Sequence, residues 1–164
     1  MKPDQSLRTD DCTELVNEYA SMVYKLAFAQ TRNRQDADDI FQEVFLRYVR
    51  KRPAFESKEH EKAWFIRVTI NCCKNLWGSA FRRRTQSLTC DLLSETGQPE
   101  QILEEYLIRL PRNYLAVIHL HYYEGLPVAE IGKIVKKSDA AVRMCLVRAR
   151  KMIKEWMEGD GVHV

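Results

Sequence analysis

Apolar residues recur along this chain at helical spacing almost from end to end, and the strict alternation that marks strands is absent. Leu15, Tyr19, Met22 and Leu26 step by four, three and four, which predicts an amphipathic helix from about Thr13 to Arg32. The polar run TRNRQD interrupts the pattern, with Asp36 placed to cap the next helix. Ile40, Val44 and Tyr48 form the apolar stripe of that second helix, and Pro53 marks its end. Ser57 offers an N-cap for a third, with Glu59 and Glu61 suited to the positive end of its dipole.

The third segment, EKAWFIRVTINCCKNLWGSAFRRR, is apolar over most of its circumference. Phe65, Val68, Cys72 and Leu76 make one stripe, which Trp64 and Trp77 widen. A narrow polar track remains: Arg67, Asn71, Lys74 and Asn75, running into Arg82, Arg83 and Arg84. Such a helix is buried on most sides and exposes one cationic, hydrogen-bonding edge. Composition then shifts. TQSLTCDLLSETGQPE, residues 85–100, is rich in Ser, Thr, Gly and Pro and has no strong period, so it is expected to link two small helical domains. Pro99 suits the start of a short helix reaching about Arg109. In LPRNYLAVIHLHYYEG, Leu115, Ile118 and Tyr122 are expected on one face, with Gly125 as the stop.

The last two segments, VAEIGKIV and SDAAVRMCLVRARK, have the pattern of a helix-turn-helix. Val128, Ile131 and Val135 face inward on the first helix, and Ser138 caps the second. Val142, Leu146, Ala149 and Ile153 make the buried side of that second helix. Arg143, Met144, Val147, Arg148 and Lys151 fall on the opposite arc, which suits a helix pressed into a major groove. Lys136 and Lys137 occupy the turn, where glycine is common, and a side chain in the left-handed conformation there costs about 1 kcal/mol.

Net charge is only +3, so the distribution of charge decides what it means. Between Lys133 and Lys154 eight basic residues stand against the single acid Asp139, the local excess that phosphate binding requires. Asp36, Asp39 and Glu43 share one exposed face of the second helix, with Asp38 beside them. An acidic face does not bind DNA; it suits a basic protein surface, or is simply solvated. The N-terminal MKPDQSLRTDDC lacks the apolar core of a signal peptide, and no segment is apolar enough to span a membrane, so a cytoplasmic location is expected. The five cysteines (Cys12, Cys72, Cys73, Cys90 and Cys145) include no CxxC pair and are read as free thiols. No phosphate loop, HExxH or GxSxG is present, so neither an enzyme nor a cofactor or metal is expected.

DADDIFQEVFLRYVRKRPAF followed by EHEKAWFIRVTINCCKNLWGSAFRRR resembles region 2 of the extracytoplasmic-function (ECF) sigma factors of the bacterial sigma-70 family. LPRNYLAVIHLHYYEGLPVAEIGKIVKKSDAAVRMCLVRARKMIKE resembles their region 4. Order, spacing and linker length agree over about residues 10 to 157. The resemblance implies an all-α protein of two small domains, a region 2 bundle over 10–84 and a region 4 helix-turn-helix over 101–158, joined by the flexible segment 85–100.

It also implies partners: core RNA polymerase, promoter DNA that is duplex at the −35 element and melted at −10, and a cognate anti-sigma factor, often held at the membrane. No small-molecule substrate is implied. Asp36, Asp39, Gln42, Glu43 and Phe45 match the family's polymerase-binding segment. The loop Arg52 to Lys58, with Trp64, Arg67, Asn71, Lys74 and Asn75, matches the parts that open and read −10, while Arg82, Arg83 and Arg84 would bind nearby phosphates. Ser138, Arg143, Met144, Val147, Arg148 and Lys151 match positions that meet −35. Met144-Cys145 stands where the family more often has polar residues, so a familiar −35 sequence does not carry over. Two rivals stand beside the initiator: a regulator using only the helix-turn-helix, and a sigma mimic that binds polymerase or an anti-sigma factor without reading DNA.

Overall fold

The computed structural model describes residues 5–80 and 99–162, with side chains over 12–76 and 103–162. The described residues are helical, without strands, and the chain divides into two compact units, Met1–Leu88 and Thr89–Val164. Among the described residues no helix is long and apolar enough to cross a membrane.

The first unit packs α1 (Gln5–Thr31), α2 (Arg34–Lys51) and α3 (Lys58–Ala80) pairwise against one another. The stripe expected of α1 is present: Tyr19 and Leu26 are buried, and Leu15 and Met22 pack against the core. The cap of α2 lies three residues earlier than expected. Asn33, extended at φ −142°, accepts the Asp36 N–H through its side chain at 3.0 Å, so Asp36 is a first-turn residue near the helix dipole rather than the cap. At the other end Arg52 takes a left-handed conformation (φ 43°) and its N–H closes on the Tyr48 carbonyl, ending the helix just before Pro53. Ser57 does cap α3: its Oγ accepts the His60 N–H at 3.1 Å.

Phe65 is the centre of this core. It is fully buried and surrounded by Tyr19 (ring centroids 4.6 Å apart), Trp64 (5.1 Å), Phe45 (5.6 Å) and Tyr48 (5.6 Å). Phe55 closes the cluster from the 52–57 loop, stacking on Tyr48 at 6.5 Å and meeting Trp64 edge-on at 5.9 Å. The loop is therefore anchored by an aromatic side chain at its middle. Burial and the neighbouring Glu61 carboxylate push the Tyr19 phenol far above its ordinary value, so it stays a donor throughout the physiological range.

The second unit contains α4 (Pro99–Leu107), α5 (Arg112–Ile118), a π-helical turn (His119–Tyr123), α6 (Val128–Val135) and α7 (Asp139–Gly159). Helix α4 starts at Pro99, the helix start that the sequence suggested, and residues 85–98 of the expected linker lie outside the described ones. The π turn was not legible in the periodicity. Leu115 and Ile118 are buried, and Tyr122, though 53% exposed, lines one cleft together with Ile118. Gly125, at φ +64°, ends the segment as expected, and the next N–H, of Leu126, bonds back to the Leu120 carbonyl at 3.0 Å.

Lys136 is the left-handed residue of the helix-turn-helix, at φ 58° and ψ 50°. The sequence placed Lys136 and Lys137 together in the turn; the structure gives the left-handed conformation to the first, and the strain it carries is testable. Lys136→Gly is expected to raise the stability of the protein, by up to about 1 kcal/mol, in urea unfolding. An unchanged or lower midpoint would mean that the turn holds lysine without strain. The C-terminal end of α7 is clasped to α4: Asp160 accepts hydrogen bonds from the Tyr106 hydroxyl (3.0 Å) and the Arg109 guanidinium (3.3 Å), and Arg109 lies over the Trp156 ring at 4.7 Å.

Candidate functional site

Three surfaces carry the candidate chemistry, two on the first unit and one on the second. On α2, Asp38, Asp39 and Gln42 are exposed, while Asp36 and Glu43 are half-buried. Burial, with Asp39 nearby, raises the Asp36 carboxyl above its usual range. Glu43 is paired along the helix, receiving Arg47 Nε at 2.8 Å. Phe45 corrects the sequence reading. It is 8% exposed and sits in the core against Phe41 (4.8 Å) and Phe65 (5.6 Å), so in the free chain it supports α2 from within rather than presenting a surface.

The exposed apolar residues of α2 are instead Leu46 and Val49, at 46% and 44% exposed. Asp39, Gln42, Leu46 and Val49 step by three, four and three, so they form one continuous stripe facing solvent. Sequence reasoning missed Leu46 and Val49 because α2 has apolar residues round much of its circumference. The available signal was that helical step from Asp39.

On α3, the expected polar track is present. Arg67, Lys74 and Asn75 are exposed and Asn71 is half-buried, at helical spacing along one edge. Trp64 is half-buried and engaged with Tyr48, Phe55 and Phe65, so only part of its ring faces outward. Arg82, Arg83 and Arg84 lie outside the described residues, as does the Trp77 side chain. Cys72 and Cys73 are buried on the same helix and form no disulfide, and burial raises the Cys72 thiol above its ordinary value, which suppresses thiolate chemistry.

In the second unit, α6 and α7 make the helix-turn-helix. The turn depends on Gly132 more than on the residue that occupies the left-handed position. A Cβ on Gly132 would stand 2.6 Å from the Lys137 carbonyl oxygen, and the Lys137 N–H bonds to the Gly132 carbonyl at 2.9 Å. The chain turns directly over this glycine. Ser138 Oγ accepts the Ala141 N–H at 3.1 Å, so that side chain caps α7, and only its own hydroxyl proton is left for a phosphate. Val142, Cys145, Leu146 and Ala149 are buried. Arg143, Met144, Val147, Arg148 and Lys151 are all exposed, as the periodicity predicts. Behind this face lies a mainly apolar cleft of about 560 Å³, lined by Leu103, Leu107, Ile118, Ile153 and Met157, with Arg150 and Lys154 at its edge. Arg150 Nε donates to the Tyr122 hydroxyl and its guanidinium lies over that ring, at 5.3 Å.

The first unit thus carries a mixed acidic and apolar stripe on α2 and a cationic track on α3, and the second a helix-turn-helix with a basic exposed face. Comparison with known proteins gives the family. The Sigma-70 region 2 family model matches residues 15–85, and the Sigma-70, region 4 model matches residues 100–153. The chain belongs to the sigma-70 family, and its relatives place it among the ECF sigma factors.

It is 30% identical over 156 residues to the ECF RNA polymerase sigma factor SigE of Mycolicibacterium smegmatis, covering 88% of this chain and 60% of that protein's length. It is 27% identical over 143 residues to the RNA polymerase sigma factor SigV of Bacillus subtilis, covering 85% of this chain and 86% of the relative. Among solved structures, the sigma factor RpoE in complex with the anti-sigma factor NepR, from Bartonella quintana, aligns with a TM-score of 0.76. That match covers 90% of this chain and 97% of the other at 16% identity, a likeness of fold. CnrH, solved with the cytosolic domain of CnrY, gives 0.68 at 19% identity over 93% and 90%.

Proposed function

We propose that this protein associates with core RNA polymerase in the cytoplasm and directs it to promoters, reading a duplex −35 element with the second unit and capturing the melted −10 strand with the first. The observation that carries the reading is the juxtaposition of two unlike faces on one small unit. The stripe Asp39, Gln42, Leu46 and Val49 on α2 suits a protein partner, while the track Arg67, Asn71, Lys74 and Asn75 on α3 suits a nucleic-acid strand. A regulator using only its helix-turn-helix would have no use for either.

In this reading Asp36 and Glu43 flank the polymerase contact, and Phe45 holds it from beneath. Trp64 and the loop from Arg52 to Lys58, anchored by Phe55, form the wall against which an unpaired base is held. Arg82, Arg83 and Arg84 continue the cationic path onto duplex phosphates. On α7, Arg143, Arg148 and Lys151 meet the −35 phosphates or base edges and Met144 and Val147 face the groove between them. The protein catalyses nothing itself; it supplies recognition, and the binding of unpaired bases offsets the cost of melting. The cleft of the second unit suits an apolar helix, in keeping with control by an anti-sigma factor.

Melting is the most discriminating step. With polymerase present, permanganate reactivity of thymines upstream of the start reports strand opening. The double variant Arg67→Ala, Asn71→Ala is expected to lose it by at least about 10-fold, with polymerase binding unchanged, because a cation and an amide facing the strand are both removed. Equal reactivity in the variant would take the α3 track out of the mechanism.

A further inference from the structure

The exposed arc of α7 is not uniform. The positions farthest round the helix from the buried Val142, Cys145, Leu146 and Ala149 are Ala140, Met144, Val147 and Lys151, in steps of four, three and four. Three of these four are apolar. Ala140 is exposed, Met144 is 47% exposed and Val147 is 56% exposed. The arginines stand to the sides, Arg143 and Arg150 on one flank and Arg148 on the other, while Lys151 ends the crest. Arg150 is further held against Tyr122. A helix entering a major groove in this orientation places its apolar crest on the groove floor and its arginines toward the two phosphate walls.

That arrangement reverses the usual division of labour. Base edges in the major groove are most often read by Arg, Lys, Asn or Gln, and the apolar part of the crest contains none of these. The one apolar group that the four bases present there is the C5-methyl of thymine. The basic flanks and the single acid near the helix start argue for a polyanionic occupant rather than a protein surface.

Resting on the reading of the second unit as the −35 reader, we propose that Ala140, Met144 and Val147 specify this element by contact with thymine methyl groups. Arg143 and Arg148 then fix the register of α7 on the phosphate backbone. Specificity is set by where thymines stand on either strand, and this accounts for an apolar pair, Met144 and Val147, left facing solvent on an otherwise cationic surface.

Deoxyuridine tests this directly, because it keeps every hydrogen-bonding group of thymine and lacks only the methyl. A promoter found by mapping start sites with polymerase and this protein is synthesised with deoxyuridine replacing thymine in the upstream element alone. Initiation is expected to fall about 3- to 10-fold for each methyl that is contacted. Met144→Ala, Val147→Ala is expected to initiate weakly on both duplexes and to lose most of the preference for thymine, with Ala140 left as its one apolar methyl contact. The side chains are exposed, so the variant retains its fold, and its circular dichroism and its binding to polymerase check that. Equal use of the thymine and deoxyuridine duplexes by the unsubstituted protein overturns the proposal while leaving the initiator reading intact. Absence of discrete starts on any promoter overturns the initiator reading itself.

Discussion

Leu46→Asp is expected to weaken binding to core RNA polymerase by about 100-fold, equivalent to roughly 2.7 kcal/mol, with little change in the thermal unfolding of the free protein. The two halves of that expectation have one cause. Leu46 is 46% exposed on α2 and is not among the residues of the buried core, so an aspartate there reaches solvent in the free chain. In a complex that covers the stripe, the same carboxylate is desolvated against a surface that was complementary to an apolar group. Asp39→Lys, on the same stripe, is expected to have a smaller effect, about 10-fold, because a peripheral charge acts mainly on encounter and is screened by salt. Glu43 is a less clean probe, since its reversal also breaks the pair with Arg47. Titration of labelled protein with core polymerase at two salt concentrations measures both. Undiminished affinity of Leu46→Asp would remove α2 as the docking face.

Gly132→Ala is expected to be the most damaging small substitution in the second unit, costing about 2–3 kcal/mol. Alanine is ordinarily the better helix former by about 1 kcal/mol, so propensity alone predicts the opposite sign. The added methyl, however, would stand 2.6 Å from the Lys137 carbonyl oxygen, a backbone atom that cannot swing aside. Moving it would pull on the Lys137 N–H bond to Gly132 and on the Ser138 cap of α7. Hydrogen exchange on the full chain distinguishes the units: protection of α6 and α7 should fall, while that of α1 to α3 should not. Unchanged protection throughout would show that the turn can retreat from the glycine.

The glycine missing from the turn and the glycine that matters are thus different residues, and only the first could be read from the sequence. Lys136 and Lys137 stand at a known point of the helix-turn-helix pattern, so a left-handed residue there followed from position, and the structure assigns it to Lys136. Gly132 lies inside an apolar-periodic helix, and only the path of the chain brings the Lys137 carbonyl onto it. The same distinction runs through the first unit. One buried stripe per helix was enough to find α1 to α3, and the polar edge of α3 followed by subtraction.

Helix α2 was harder. Ile40, Phe41, Val44, Phe45, Leu46, Tyr48 and Val49 span too much of its circumference for periodicity to say which remain outside. Packing against α1 and α3 takes Phe45 and leaves Leu46 and Val49. Asn33 and Asp36 are both competent caps in one polar run, and the choice between them rests on backbone geometry that composition does not encode. The π turn at His119–Tyr123 is a register shift with no residue signature of its own, which is why periodicity did not reveal it.

The central claim is that two DNA-reading units and a polymerase-docking stripe act together in one initiator. Mapping of transcript 5′ ends on genomic DNA, with core polymerase in the presence and absence of this protein, tests it most directly. The account predicts discrete new starts that depend on the protein and share two upstream elements at near-constant spacing. Stable association with polymerase and no discrete starts would contradict it in favour of a sigma mimic, and specific duplex binding without polymerase would contradict it in favour of a helix-turn-helix regulator.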